Sequence, residues 1–258
     1  MIWKEYGEPD KPVVLLIHGG GLSNWMWRPQ IEVLRREYHV ITPILDGHGE
    51  DHQTVYESIS KSADQVIDFI DKKFNGSVFA ICGLSVGAQI TVEVLARANK
   101  IAQKAVIESA LVFPSESIAI LTKPVLNLSF SLIKKRWFAK LQAKQMYVSG
   151  NMFEDYFRDS TGMSKKSMLN LLTDNARYSI PMNLKNTTAD VLVLCGTKEY
   201  KPMRRSAVLL QQTIENSVLE MVSGCGHGIS LKLPEVYLDL VQKFFASEKS
   251  MKKKPDKL

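Results

Sequence analysis

The chain has 258 residues, 45% of them hydrophobic and 23% charged, with a formal net charge of +6. That length is ample for a buried core in one large α/β domain or two modest ones, and the composition is that of a globular chain. The charge is uneven: Val112 to Thr187 holds 11 Lys/Arg against 5 Asp/Glu, and Glu248 to Leu258 holds 5 Lys against 2 acids, leaving the remainder acidic. A nucleic-acid-binding domain would carry its basic residues otherwise, so no nucleic-acid partner is expected.

There is no uninterrupted apolar run of about eighteen residues, so no membrane span and no integral membrane contact are expected. The first residues, Met1-Ile2-Trp3-Lys4-Glu5-Tyr6, lack the layout of a secretory leader. Cys82, Cys195 and Cys225 are odd in number and lack metal-site spacing, which reads as reduced thiols in a cytoplasmic protein. The lysine-rich end, 248–258, reads as a solvated basic tail.

In chain order, Val13 to Ile17 is a continuous apolar run, the signature of a strand covered on both faces. It ends in His18-Gly19-Gly20-Gly21. A helix is predicted over Asn24 to Arg36, a strand over Tyr38 to Pro43, and a turn at Asp46-Gly47-His48-Gly49. Val55 to Phe74 carries apolar residues at helical spacing. Val78-Phe79-Ala80-Ile81-Cys82 is the next apolar run, leading as a strand into Gly83-Leu84-Ser85-Val86-Gly87 and then into a helix over Gln89 to Ala98. Ala105 to Ile107 is a further strand. Strands alternating with helices predict a mostly parallel sheet with helices on both faces.

The alternation stops between residues 112 and 187, where the pattern is helical: Ile118 to Met146 interrupted by Pro124, then Asn151 to Arg158 and Ser164 to Tyr178. Sheet rhythm resumes with Asp190 to Gly196, a helix opening at Pro202, a strand over Ser217 to Val222 and a helix over Pro234 to Ala246. The organisation predicted is a core of residues 1–111 and 188–247 with a helical cap, 112–187, inserted between two of its strands.

Strand, tight Gly-x-Ser-x-Gly turn, then helix is the context of a nucleophile elbow, which holds its serine hydroxyl clear of the sheet. A serine hydroxyl needs a neighbouring base to become a nucleophile. His227, among glycines in Gly226-His227-Gly228 and following a strand, is the candidate; His39, His48 and His52 sit in strand or turn settings. The base needs an orienting acid, and the acids at predicted strand ends are Glu199, Glu108 and Asp46. A tetrahedral oxyanion needs preset backbone donors: the amide of Val86, and one from the glycine turn, Gly20 or Gly21. No metal ligand cluster and no cofactor motif occurs in the sequence, and this chemistry calls for no cofactor.

The set His18-Gly19-Gly20-Gly21, Trp25 and Trp27, Asp46-Gly47-His48-Gly49, the Ser85 elbow and Gly226-His227-Gly228 resembles the α/β-hydrolase superfamily over nearly the whole chain outside the cap. The resemblance implies Ser85 as nucleophile, His227 as base, Glu199 as acid, and Gly20 with Val86 as oxyanion donors. The acid position of that family most often holds aspartate; here it holds glutamate. The activity implied is cleavage of a small-molecule carboxylic ester of small or medium acyl chain through an acyl-enzyme. The alternatives are a C–C hydrolase or lyase on a ketone or carboxylate-bearing metabolite, with Arg158 or Arg177 as carboxylate clamp, and a ligand receptor with slow or no turnover. Val125, Leu126, Leu128, Phe130, Leu132, Ile133, Trp137 and Phe138 are the candidate lining of an acyl pocket.

Overall fold

The computed structural model describes residues 1–148 and 150–247; the predicted basic tail at 248–258 lies outside them. Seven strands form one sheet: β1 (Ile2–Tyr6), β2 (Val13–Ile17), β3 (His39–Ile44), β4 (Val78–Leu84), β5 (Ala102–Glu108), β6 (Asp190–Gly196) and β7 (Ser217–Val222). Their spatial order is β1-β3-β2-β4-β5-β6-β7, with β1 antiparallel to β3 and every other pair parallel.

The continuous apolar runs are explained by the layers. Leu15, Ile17, Ile81, Ala105, Ile107, Val191 and Val193 pack on one face. There they meet α2 (Ile59–Phe74), α3 (Val86–Arg97) and, later in the chain, α8 (Lys201–Thr213). Val14, Leu16, Ala80, Cys82, Val106, Leu192 and Leu194 pack on the other. Their partners are Trp25 and Trp27, α1 (Arg28–Leu34), and α10 (Pro234–Ala246), which follows the single turn α9 (Ile229–Lys232). Alternate residues of each strand thus enter different cores, as period-two geometry requires.

Several local expectations are corrected. The helix predicted over Asn24 to Arg36 is a 3-10 turn, Asn24–Trp27, followed by α1, because Pro29 in the first turn of α1 restarts the helix there. Helix α2 begins four residues later than the apolar spacing implied, where the Ser58 side chain accepts from the Lys61 amide and caps it. The strand β1 was not predicted. It is an edge strand whose residues are only half-buried, with Trp3 stacked on Phe69 at 3.7 Å between ring centroids.

Between β5 and β6 the chain forms α4 (Glu116–Ile133), α5 (Arg136–Gln145), α6 (Phe153–Gly162) and α7 (Lys165–Arg177). Pro124 does not interrupt α4; the break comes at Lys134 and Lys135. By length and composition alone α4 is long and apolar enough to cross a bilayer, although polar residues interrupt its apolar run. It carries Glu116 and Lys123, and its buried residues are Ala119, Leu126 and Ile133, one every seven positions.

Candidate active site

The chain order of the strands departs from their spatial order between β2 and β4, and the loops at the carboxyl ends of such strands diverge to leave a crevice. The register aligns Ile17 with Gly83, and Leu84 with Glu108, which in turn faces Leu194. The glycine turn after β2, the serine after β4 and the loops after β5 and β6 are therefore brought to one edge of the sheet.

Ser85 joins β4 to α3 with φ 56° and ψ −115°, a left-handed conformation that costs a non-glycine residue energy. The strain is held by tight packing on both sides. A Cβ on Gly83 would collide with the Gly87 carbonyl, and a Cβ on Gly87 with the Ile17 carbonyl. Ser85 is the N-terminal flanking residue of α3, so the Val86 amide is the helix's first and has no acceptor within the helix. Gly20 lies against Val86: a Cβ there would stand 3.2 Å from Val86 Cγ2 and 3.0 Å from Leu171 Cδ2.

Glu199 and Glu108 have different partners. His227 Nδ1 and Glu199 Oε1 are 3.2 Å apart, and the same oxygen accepts from Ser109 Oγ at 2.6 Å. The Glu199 side chain is almost wholly buried and that of His227 about one-third exposed. With Nδ1 engaged by the carboxylate, Nε2 is the ring nitrogen left for proton exchange. Ser85, Gly19, Gly20 and His227 border one narrow cleft. Glu108 is fully buried and accepts instead from the Ser230 amide at 3.0 Å. Burial pushes its carboxyl up to about 7. Ser230 is also held through its carbonyl by Gln30 Nε2 at 2.9 Å, so Glu108 fixes the turn that follows His227 and does not touch the imidazole. Asp46 lies elsewhere, accepting from Gln65.

The glycine turn is held by His18. Its Nε2 accepts from the Leu45 amide at 3.1 Å and its Nδ1 bonds the Gly19 carbonyl at 2.9 Å. Burial, with His48 nearby, lowers its pKa to about 3, so the ring is neutral and one nitrogen remains an acceptor. Two further residues escaped the sequence reading. Ser109, at φ 54°, clamps Glu199, and its signal was its place directly after β5. Tyr147, at φ 57°, accepts from the Gly226 amide at 3.2 Å through its hydroxyl and so ties the end of α5 to the histidine loop. Nothing in its sequence context marked it.

Beside Ser85 opens a cavity of about 270 Å³, bordered by Gly20 and Val86 and lined mainly by Ile133, Met146, Tyr156, Met163, Met168 and Leu171. Of the predicted acyl-pocket residues only Ile133 lines it. Val125 and Leu128 are exposed because α4 turns its Ala119-Leu126-Ile133 stripe inward, and Trp137 is exposed on α5. Arg158 pairs with Asp155 and Asp159, and Arg177 with Glu116 at the surface; neither lines the cavity.

Residues 14–240 match the family model described as the alpha/beta hydrolase family. The chain is 22% identical over 267 residues to monoacylglycerol lipase ABHD6 of Bos taurus, covering 93% of this chain and 77% of that protein. It is 20% identical over 248 residues to 3-oxoadipate enol-lactonase 1 of Acinetobacter baylyi, covering 93% of this chain and 91% of that one. Among solved structures, carboxylesterase CesB from Bacillus subtilis superposes with a TM-score of 0.74 at 20% identity, covering 95% of this chain and 87% of that one. By the match over most of its length, the chain belongs to the alpha/beta hydrolase family.

Proposed function

We propose that the protein is a serine hydrolase of carboxylic esters. The observation that carries this reading is the bond between His227 Nδ1 and Glu199 Oε1, made at the cleft that Ser85 also borders. Ser85 Oγ attacks the ester carbonyl while His227 Nε2 takes its proton, and Glu199 holds the ring's tautomer and stabilises the imidazolium. The developing oxyanion is met by the amides of Val86 and Gly20. His227 then returns the proton to the leaving alcohol, an acyl group stays on Ser85, and water activated by the same histidine releases the acid.

The cavity beside the serine, about 270 Å³, falls just below the range of ligand pockets, roughly 300–1,000 Å³. Its methionine and leucine lining suits a small or medium acyl chain. The lining has no arginine or lysine, so it offers no cationic clamp for a carboxylate substrate, and the carboxylate form of the C–C reading loses its anchor. That related proteins are named as a lipase, an enol-lactonase and a carboxylesterase supports ester chemistry.

The test is turnover of a p-nitrophenyl ester series of increasing acyl length, with Ser85→Ala run alongside. The expected outcome is a chain-length optimum in the parent and a loss of roughly 10⁶-fold in kcat for the variant. Equal rates in parent and variant, or no turnover of any ester, would remove the reading and move the weight to a ligand receptor on this scaffold.

A further inference from the structure

The exposed large apolar side chains of this protein are concentrated on the outer helices. Ile118, Leu121, Val125 and Leu128 are 57%, 58%, 59% and 84% exposed. Their spacing of three and four residues places them on one stripe of α4, which ends at the half-buried Leu132. The opposite stripe, Ala119-Leu126-Ile133, is the buried one. On α5, next in the chain, Trp137 is 63% and Leu141 52% exposed. A monomer in water rarely leaves so much contiguous apolar surface bare without a partner for it.

The charges say which partner. Residues 116 to 145 hold six Lys/Arg and one acid, Glu116. Glu116 is taken by Arg177, and Arg136 is taken by Glu154. Among the described residues, Lys134, Lys135, Lys140 and Lys144 make no ion pair, and all four are exposed. An apolar stripe with an exposed tryptophan and unpaired lysines is the composition of a helix that lies in the interface of an anionic bilayer. A second copy of the same face would set these cations against each other.

We propose that the outer face of α4 and α5 docks on an anionic lipid surface, with the apolar stripe and Trp137 entering the headgroup boundary and the lysines meeting lipid phosphates and carboxylates. Ile133 of α4, Gln142 of α5 and Met146, which ends α5, line the cavity beside Ser85. Docking therefore sets one face of the substrate cavity's wall against the lipid. The binding is independent of the ester reading, and Ser85→Ala is expected to bind as the parent does.

The experiment is co-sedimentation of the full chain with phosphatidylcholine vesicles, with and without phosphatidylserine, while tryptophan emission is recorded. Binding is expected to vesicles containing phosphatidylserine, to weaken in high salt, and to bring a blue shift that disappears in Trp137→Phe. Lys134→Ala with Lys135→Ala lowers the partition coefficient on the order of 30-fold, and Leu128→Glu lowers it roughly tenfold or more. Both variants are expected to keep the parent's Tm and its turnover of a soluble short-chain ester, since these residues are exposed and outside the cavity. Binding left unchanged by all three variants, or no binding at low salt, would overturn the proposal. So would a concentration-dependent dimer that Leu128→Glu dissolves in the absence of vesicle binding, which would give the face to a second copy.

Discussion

Glu108→Gln tests whether the carboxyl behind the histidine loop is held neutral. Glu108 is fully buried, its Oε1 accepts from the Ser230 amide, and its Oε2 has no partner, nor has Ser230 Oγ. Burial raises its pKa from 4.5 to about 7. Between those values the folded chain keeps a proton that the unfolded chain releases, so stability falls as pH rises through this range. The loss is complete above pH 7 and amounts to about 3 kcal/mol at 1.36 kcal/mol per unit.

Glutamine keeps the acceptor for Ser230, supplies an N–H in place of the acid's O–H, and does not titrate. His18 and His48, lowered by burial to about 3 and about 4, titrate with the opposite sign, withdrawing stability as pH falls below the 6.5 of the unfolded chain. They do so equally in both proteins and cancel in the difference. Urea unfolding of parent and variant at pH 5, 6, 7 and 8 is expected to show the variant gaining about 2.5 kcal/mol on the parent across the series. A difference that stays flat with pH, or that shrinks as pH rises, would refute the neutral carboxyl.

Three further outcomes follow from the geometry. Glu199→Gln keeps the shape but not the charge that holds His227 Nδ1, and kcat on the best p-nitrophenyl ester is expected to fall roughly 10³–10⁴-fold with KM little changed; a loss under tenfold would give the acid's role to another group. Tyr147→Phe strips the Gly226 amide of its acceptor, and a cost of about 1 kcal/mol carried by kcat, roughly fivefold, is expected, with Tm nearly constant. A KM effect alone would mean that Tyr147 acts on the substrate and not on the histidine loop. Gly87→Ala drives a methyl into the Ile17 and His18 carbonyls, and urea unfolding should show a loss of at least about 2–3 kcal/mol; a stability equal to the parent's would refute the close approach of α3 to β2.

Much of this molecule was legible because its signals are local. Strands β2, β4 and β6 are covered on both faces, and such strands must be apolar at every position; β6, β7 and α10 were located to the residue. The elbow was legible for a related reason, since a sharp strand-to-helix turn tolerates only glycine where Gly83 and Gly87 pass the neighbouring backbone. Ser85 and His227 were singled out from such contexts, each at a strand end among glycines.

What the chain alone left open are matters of which loops meet and which helix face turns inward. Glu108 ends β5 and Glu199 lies just beyond β6, so both are acids at the carboxyl ends of parallel strands. Only the packing of the β6 and β7 loops sets Glu199 against His227 and puts Glu108 under Ser230. The edge strand β1 was missed because Lys4 and Glu5 interrupt its apolar residues, leaving no run that marks a strand. The cavity lining was expected from the apolar stretch Val125 to Phe138, whereas the fold turns one narrow stripe of α4 inward, of which Ile133 reaches the cavity, and lines the rest from the end of α5, α6 and α7. Periodicity shows that a helix has an apolar face; the partner that covers each face is decided by tertiary contacts, which no local spacing encodes.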